Sequence, residues 1–363
     1  MNGSSSLPWW LAVAATVALS ALVTWGALFY ARRRNLLDRP GPRRSHSEPT
    51  PRGGGIGIVV AVVGALVFAI IQTPASASVF AHAIVAIVIV AAVGWIDDHR
   101  GLAARWRLLA HFVAAIVLLL PLHGSALHAA GTTGSSALFV VACFAVAMVA
   151  CAWSINLHNF MDGINGILAL QATFVFCALA LCDVRGFDAP YTTLLVLWAA
   201  ATLAFVPFNF PHARIFMGDV GSGVLGLLVA AAVIWQADAR AAALATGVIA
   251  CSAFVTDATC TLLSRMIRGR RWYGAHREHL YQWLARSGFS HAGVVALYTG
   301  WNLCVVVPVL YLANRDYHVL PVAGAASAPM DTGLGYAIAV YALAVVTWVA
   351  GKRWCPKKVK MRK

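Results

Sequence analysis

Apolar runs recur along the whole chain, near residues 8 to 30, 54 to 72, 79 to 96, 106 to 121, 136 to 154, 164 to 182, 190 to 207, 221 to 235, 241 to 263, 292 to 313 and 334 to 350. A bilayer core about 30 Å thick takes about 20 apolar residues per helical crossing, and a helix satisfies its own backbone polar groups there. The sequence therefore predicts an all-α polytopic integral membrane protein with about 11 transmembrane helices. Charged residues make up 11% of the chain, against roughly 25% in an average soluble domain, which excludes a soluble globular protein. One transmembrane domain is expected over 1–351, followed by a basic tail over 352–363 that suits anionic headgroups.

The first run, Leu7 to Tyr30, has no positive residue before it and is followed by Arg32, Arg33 and Arg34, so it reads as an anchor, not a cleaved signal. With the N-terminus outside, 24 of the 27 Lys and Arg fall on inner segments, leaving Arg185, Arg240 and Arg315 outside. That bias predicts an N-out/C-in orientation. The net charge of +14 is then topology, and no nucleic-acid partner is expected, because the basic residues flank spans and form no single domain. Seven of the eight cysteines lie in or at the ends of apolar runs and none form a C-x-x-C pair, so neither a disulfide framework nor a zinc site is expected.

Once sides are assigned, the other polar residues sort unevenly. Outer loops carry Asp183, Asp188, Asp238, Asp316 and Asp331 singly. Inner segments carry Asp97-Asp98, the stretch Asn156 to Gly166, Asn209 through Gly221 with Asp219, and His276-Arg277-Glu278-His279, and Asp257 lies near the inner end of its span. Five distant parts of the chain thus converge on the cytoplasmic face, the pattern of a site at that membrane surface.

Adjacent carboxylates at the end of a span repel each other and need a cation or a basic side chain. Asp97 and Asp98 are read either as helix-end charges paired with Arg100, Arg105 or Arg107, or as metal-linked or base chemistry, since carboxylates suit Mg²⁺. Asn156, Asn159, Asp162 and Asn165 recur every third residue, which brings polar groups to one face if the segment begins as a helix. Gly218, Gly221 and Gly223 around Asp219 suggest backbone N–H groups and a carboxylate at a helix N-terminus, suited to phosphate with its metal. The loop of His276, Arg277 and His279 after Arg268, Arg270 and Arg271 suits either lipid-surface contact or anion binding.

Taken in order, Arg43-Arg44-Ser45-His46, Pro49 to Gly55, Asp97-Asp98, Asn156 to Gly166, Phe216 to Ser222, and Asp257 with His276-x-x-His279 resemble the polyprenyl-phosphate N-acetylhexosamine-1-phosphate transferases. The resemblance implies transfer of a sugar 1-phosphate from a UDP-N-acetylhexosamine to undecaprenyl phosphate, with release of UMP, in a bacterial inner membrane. It implies Mg²⁺, or Mn²⁺ in its place, and is compatible with a homodimer. By matching positions, Asp97 and Asp98 resemble the catalytic pair, Asp219 the metal-binding aspartate and Asn159 a second ligand. Asn156, Asp162, Asn165 and Asn209 look like nucleotide-side contacts, Phe216 a stacking surface for uracil, and Arg52, Arg107, His276, Arg277 and His279 substrate-binding groups.

Two departures stand out. Arg107 and His111 occupy positions where many relatives carry Lys and Gln, and Tyr281-Gln282 follow His279 where several carry further histidines. The His-x-x-His-Leu-Tyr-Gln form resembles O-antigen-initiating members more than the phospho-MurNAc-pentapeptide translocases, which remain an alternative. A transporter is the rival from another class. It would place ionisable residues near the bilayer midplane between repeats, whereas here they lie at inner span ends. A CDP-alcohol phosphotransferase would need acidic residues several turns apart, but after Asp98 the next acidic residue is Asp162.

Overall fold

A computed structural model describes residues 8–39, 48–133, 136–183, 185–186, 189–239, 243–271, 276–319 and 328–361. The described residues are mainly helical: α1 (Trp9–Arg33), α2 (Ile56–Gln72), α3 (Ala77–Arg100), α4 (Ala104–Thr133), α5 (Ala137–Met161), α6 (Ile167–Leu181), α7 (Pro190–Asn209), α8 (Asp219–Ala239), α9 (Ala243–Ala250), α10 (Ser252–Ile267), α11 (Leu280–Arg286), α12 (His291–Trp301), α13 (Val307–Val319) and α14 (Ala328–Met361). A π-helical turn, Asn302–Val306, joins α12 to α13. The described strands are Leu37–Asp38 (β1) and Thr50–Pro51 (β2), paired antiparallel with Leu37 opposite Pro51. Arg43, Arg44, Ser45 and His46 lie outside the described residues.

Among the described residues, eight helices are long and apolar enough to cross a membrane, or nine if α9 and α10, bent by 67° at Cys251, form one broken span. The expected count of eleven is larger because α2 and α6 fall short on length. Their 17 and 15 residues make about 25 and 22 Å of helix, below the roughly 30 Å core. α6 starts only at Ile167, after Gly166 in the left-handed region at φ 77°, so residues 162–166 stay outside the helix. The chain is a multi-pass membrane protein.

α8 is the hub. Of its apolar window 83% is buried, against 17% for α5, and it packs on α3 and α5. Val220, Val224, Leu225 and Leu227 are fully enclosed, so the start of α8 is held rigidly between its neighbours. Close approach needs glycine: a Cβ on Gly94 of α3 would meet the carbonyl carbon and oxygen of Asp219 at 2.5 Å. α3 and α8 therefore touch backbone to backbone where the two acidic motifs lie.

Candidate active site

The site is assembled from three helix ends. α3 ends with Asp97 and Asp98, α4 begins with Arg107 in its first turns, and α8 begins at Asp219. One guanidinium nitrogen, Nη1 of Arg107, donates to Asp97 Oδ2 at 2.7 Å and to Asp219 Oδ2 at 2.9 Å. Asp97 is fixed from its other side by the backbone N–H of Leu102, which donates to Oδ1.

The adjacent carboxylates have different jobs. The Asp98 side chain is 2% exposed, and its two oxygens accept the backbone N–H groups of Asp219 and Val220, both at 3.2 Å. The first N–H groups of a helix have no intrahelical acceptor, and a carboxylate there also complements the helix dipole. Asp98 thus caps α8, occupying N–H groups that the glycine-rich sequence suggested for phosphate. Gly218, at φ 76°, makes room: a Cβ there would meet Asp98 Oδ2 at 2.5 Å. Asp97 and Asp219 are 15% and 29% exposed, so they are the open pair.

Arg52 is brought in by backbone pairing. Phe216 N–H donates to Pro51 O at 2.8 Å, and Gly54 and Gly55 donate to Phe216 O and Met217 O at 2.9 and 2.8 Å. From there Arg52 donates to the Asp98 carbonyl and lies 4.0 Å from its carboxylate. The Phe216 side chain is half-buried beside this pairing.

A small cavity of about 20 Å³ opens among Arg107, His111, Asn156, Asn159, Phe160 and Asp219, room for an ordered water or a small ion. Asn159 Nδ2 donates to Ser222 Oγ at 3.0 Å, and Asn156 Nδ2 lies 3.1 Å from His111 Nδ1. The structure therefore brings Asp97, Asp98, Asp219, Asn156, Asn159, Arg52 and Arg107 together. Asn165 and Asn209 instead join two loops. Asn209 Oδ1 accepts Gly166 N–H at 2.7 Å, its Nδ2 donates to Ile215 O at 3.0 Å, and Asn165 Nδ2 donates to Pro211 O at 3.0 Å. Asp162 follows α5 directly. Burial, with the charge of Asp98, pushes its carboxyl up to about 7.

The His276–His279 loop forms a second layer. His279 is buried, with its ring stacked on Phe160 at 6.2 Å and on Tyr281 at 5.8 Å. Burial, with the positive groups of His279 and Arg265 nearby, lowers His276 to about 4, and burial also lowers His279. Tyr281 donates from its hydroxyl to Phe160 O at 2.9 Å, and Gln282 Nε2 donates to that hydroxyl at 3.1 Å. Asp257 anchors the layer: its carboxylate accepts the N–H groups of Leu280 and Tyr281, the Tyr298 hydroxyl and the Trp348 indole N–H. Arg277 lies in the same loop, and neighbouring Glu278 pairs with Arg265 and Arg270.

Three participants escaped the sequence reading as site residues: Gly94, Ser222 and Phe160. Ser222 and Phe160 carried a signal, since each lies three or four positions along its helix from a site residue, Asp219 or Asn156, and so shares its face. Gly94 gave none, because its close contact is with another helix.

Among the described residues no three His, Cys, Asp or Glu side chains gather as a metal cage. The donor set still fits a magnesium-type ion. Two carboxylates converge on one positive group beside the Asn159 amide, and Mg²⁺ is commonly held by one or two carboxylates together with water and substrate phosphates.

Polar groups gathered at the ends of membrane helices define a membrane-embedded enzyme-like site, and comparison with known proteins supplies its family. A family model described as glycosyl transferase family 4 matches residues 80–237, spanning α3 to α8. The decaprenyl-phosphate N-acetylglucosaminephosphotransferase of Mycobacterium tuberculosis is 30% identical over 315 residues, covering 78% of each chain. Its namesake in Mycolicibacterium smegmatis is 30% identical over 308 residues, 77% of this chain and 73% of the relative. The undecaprenyl-phosphate alpha-N-acetylglucosaminyl 1-phosphate transferase of Escherichia coli K12 is 25% identical over 293 residues, 75% of this chain and 76% of the relative. The chain belongs to glycosyl transferase family 4.

Proposed function

We propose that the protein transfers an N-acetylhexosamine 1-phosphate from a UDP-sugar to undecaprenyl phosphate, giving the lipid diphosphate sugar and UMP at the cytoplasmic face. The relatives' names favour N-acetylglucosamine as the sugar and a polyprenyl phosphate as the acceptor. The observation that carries the reading is the convergence of Asp97 and Asp219 on Arg107, beside Asn159 and Asn156 at the ends of α3, α4, α5 and α8.

Two phosphate-bearing substrates repel each other, so their approach requires positive charge and fixed geometry more than covalent chemistry from the protein. An oxygen of the lipid phosphate attacks the sugar-linked phosphorus in line with the departing UMP oxygen. One P–O bond forms as the other breaks. Asp219 and Asn159, with Asp97 adjacent, would hold a divalent cation, which when bound supplies charge neutralisation and Lewis acidity. Arg107 and Arg52 present guanidinium groups suited to phosphate oxygens. Asp98 keeps the first turn of α8, and hence Asp219, in register. Asp97 orients the acceptor phosphate or takes its proton. Phe216, Asp162 and the His276–His279 loop lie on elements that meet the donor side, and the apolar helices offer a surface for the polyprenyl tail. N-out/C-in topology, an inner-membrane location and initiation of a cell-surface polysaccharide such as O-antigen complete the proposal.

The test is purified protein with undecaprenyl phosphate and a panel of UDP-sugars, followed by UMP release with and without Mg²⁺. Metal-dependent UMP release requiring both substrates is expected, strongest with UDP-N-acetylglucosamine. Uptake of a labelled solute into proteoliposomes without lipid product would overturn the reading in favour of a transporter.

A further inference from the structure

One nitrogen of Arg107 bridges Asp97 and Asp219, both more exposed than Asp98. Those carboxylates come from different helices, α3 and α8, and are held close because Gly94 lets the helix backbones touch. Two acidic groups so placed need a positive group between them, and Arg107 is that group.

A divalent ion ligated by Asp219 would bind a carboxylate of which Arg107 already engages one oxygen, Oδ2. Two cations sharing that carboxylate a few ångströms apart repel strongly in a partly buried site. We propose that Arg107 is the built-in counterion of the unloaded site, competing with the divalent cation for Asp219 and yielding to it only when a diphosphate accepts the released guanidinium. The proposal rests on the metal assignment above.

The geometry supports an exchange of partners. The Arg107 side chain is 31% exposed and borders the cavity shared with Asn156 and Asn159, so an incoming anion can reach it without unfolding α4. Guanidinium pairs as well with phosphate oxygens as with carboxylates, so the exchange preserves its hydrogen bonding. Asp97, tied to Leu102 N–H, keeps one end of Arg107 anchored while Asp219 is surrendered. Metal and donor binding are thereby coupled, and by linkage each raises the affinity of the site for the other.

The experiment measures Mn²⁺ binding to the full chain in nanodiscs, by loss of the free-ion electron paramagnetic resonance signal, without substrates. Arg107→Met should bind Mn²⁺ about tenfold or more tightly than wild type, with Arg107→Gln behaving alike, within the usual range of coupling between ligands. Arg105→Met removes an equal charge from an exposed neighbour and should stay within about threefold. Adding UDP, after correction for Mn²⁺–UDP formed in solution, should raise Mn²⁺ affinity in wild type more than in Arg107→Met. If Asp219→Asn leaves Mn²⁺ binding intact, or no form binds Mn²⁺, the metal assignment fails and this proposal with it. If binding depends on Asp219 but both Arg107 variants match wild type, or Arg105→Met strengthens binding equally, the metal assignment stands and the counterion role is overturned.

Discussion

The Asp98 carboxylate accepts the backbone N–H of Asp219 at 3.2 Å, so one member of the acidic pair holds the helix turn that presents the more exposed Asp219 carboxylate. Its neighbour Asp97 makes no such contact with α8 backbone and pairs with Arg107 instead. Substitutions should therefore separate the two. Asp98→Ala leaves two buried N–H groups without an acceptor, at about 1–3 kcal/mol each, and should lower both the melting temperature and turnover. Asp97→Asn should cut UMP release by about 10² or more, in the range of positioned electrostatic groups, with little loss of stability. Equal stability losses in the two variants would contradict this division.

Gly94→Ala adds a single uncharged methyl group at the contact between α3 and α8. At 2.5 Å from the Asp219 carbonyl it cannot be accommodated without separating α3 from α8. Overpacking of this kind costs about 1–3 kcal/mol. Turnover should fall further than stability, because Asp97 and Asp219 would no longer meet at Arg107. Assay at matched folded protein checks this, and wild-type turnover would show that the acidic motifs work without close contact.

The apolar runs marked the long helices, though not α11 (Leu280–Arg286), because a membrane core demands about 20 uninterrupted apolar residues, a pattern that side-chain composition alone reveals. The acidic motifs were legible for a related reason: charge beside such runs is costly and so conspicuous. Roles within the site were less visible. Asn209 looked like a ligand contact, yet both its side-chain groups bond to backbone, and Asp98 differs from Asp97 only in which helix it faces. Those distinctions depend on which helices pack together, information that one-dimensional spacing does not carry. The short α2 and α6 begin after glycines, Gly55 and Gly166, that the apolar runs at 54 to 72 and 164 to 182 pass through, so hydropathy alone did not mark where these helices start.

Sidedness follows from the distribution of basic residues and can be read with an impermeant thiol reagent in intact cells. The exposed Ala75 and His212 lie on opposite expected faces. Ala75→Cys should label from outside and His212→Cys only after the membrane is opened, each judged against the native cysteine background. The reverse pattern would place the acidic cluster on the wrong side for a cytoplasmic nucleotide sugar. Ser45 and Ser327, natural choices from the sequence, lie outside the described residues.

Stability should carry a pH signature from Asp162. Its folded carboxyl is raised by burial, and then by the charge of Asp98, to about 7 from an ordinary 3.8. The folded state consequently binds more protons than the unfolded state between those values, and this contribution is lost as pH rises toward and through 7. Asp162→Asn mimics the protonated form. Its melting temperature should exceed that of wild type by a margin that grows from pH 5 to pH 8. A margin constant across that range would mean that Asp162 is not held protonated by its surroundings.

The family resemblance read from the sequence makes Tyr281 a natural suspect for choosing the donor sugar. Its position argues for a different role. The side chain is fully buried, its hydroxyl donates to the Phe160 carbonyl at 2.9 Å, and a Cβ on Gly163 would meet that hydroxyl at 2.1 Å. It fastens α11 to the end of α5, one residue from Asn159. Tyr281→Phe keeps the ring but removes that donor, a loss of about 0.5–1.5 kcal/mol. The expected result is a lower melting temperature and a uniform fall in turnover with every UDP-sugar, because the whole end of α5 loosens. His276→Ala, on the half-buried side of the same loop, should by contrast change the ratio among UDP-sugars, since a polar group that pairs with one donor's hydroxyl discriminates against donors lacking it. Turnover ratios for a panel of UDP-sugars, measured for both variants, decide the matter: a changed ratio in Tyr281→Phe would make the tyrosine a selector after all.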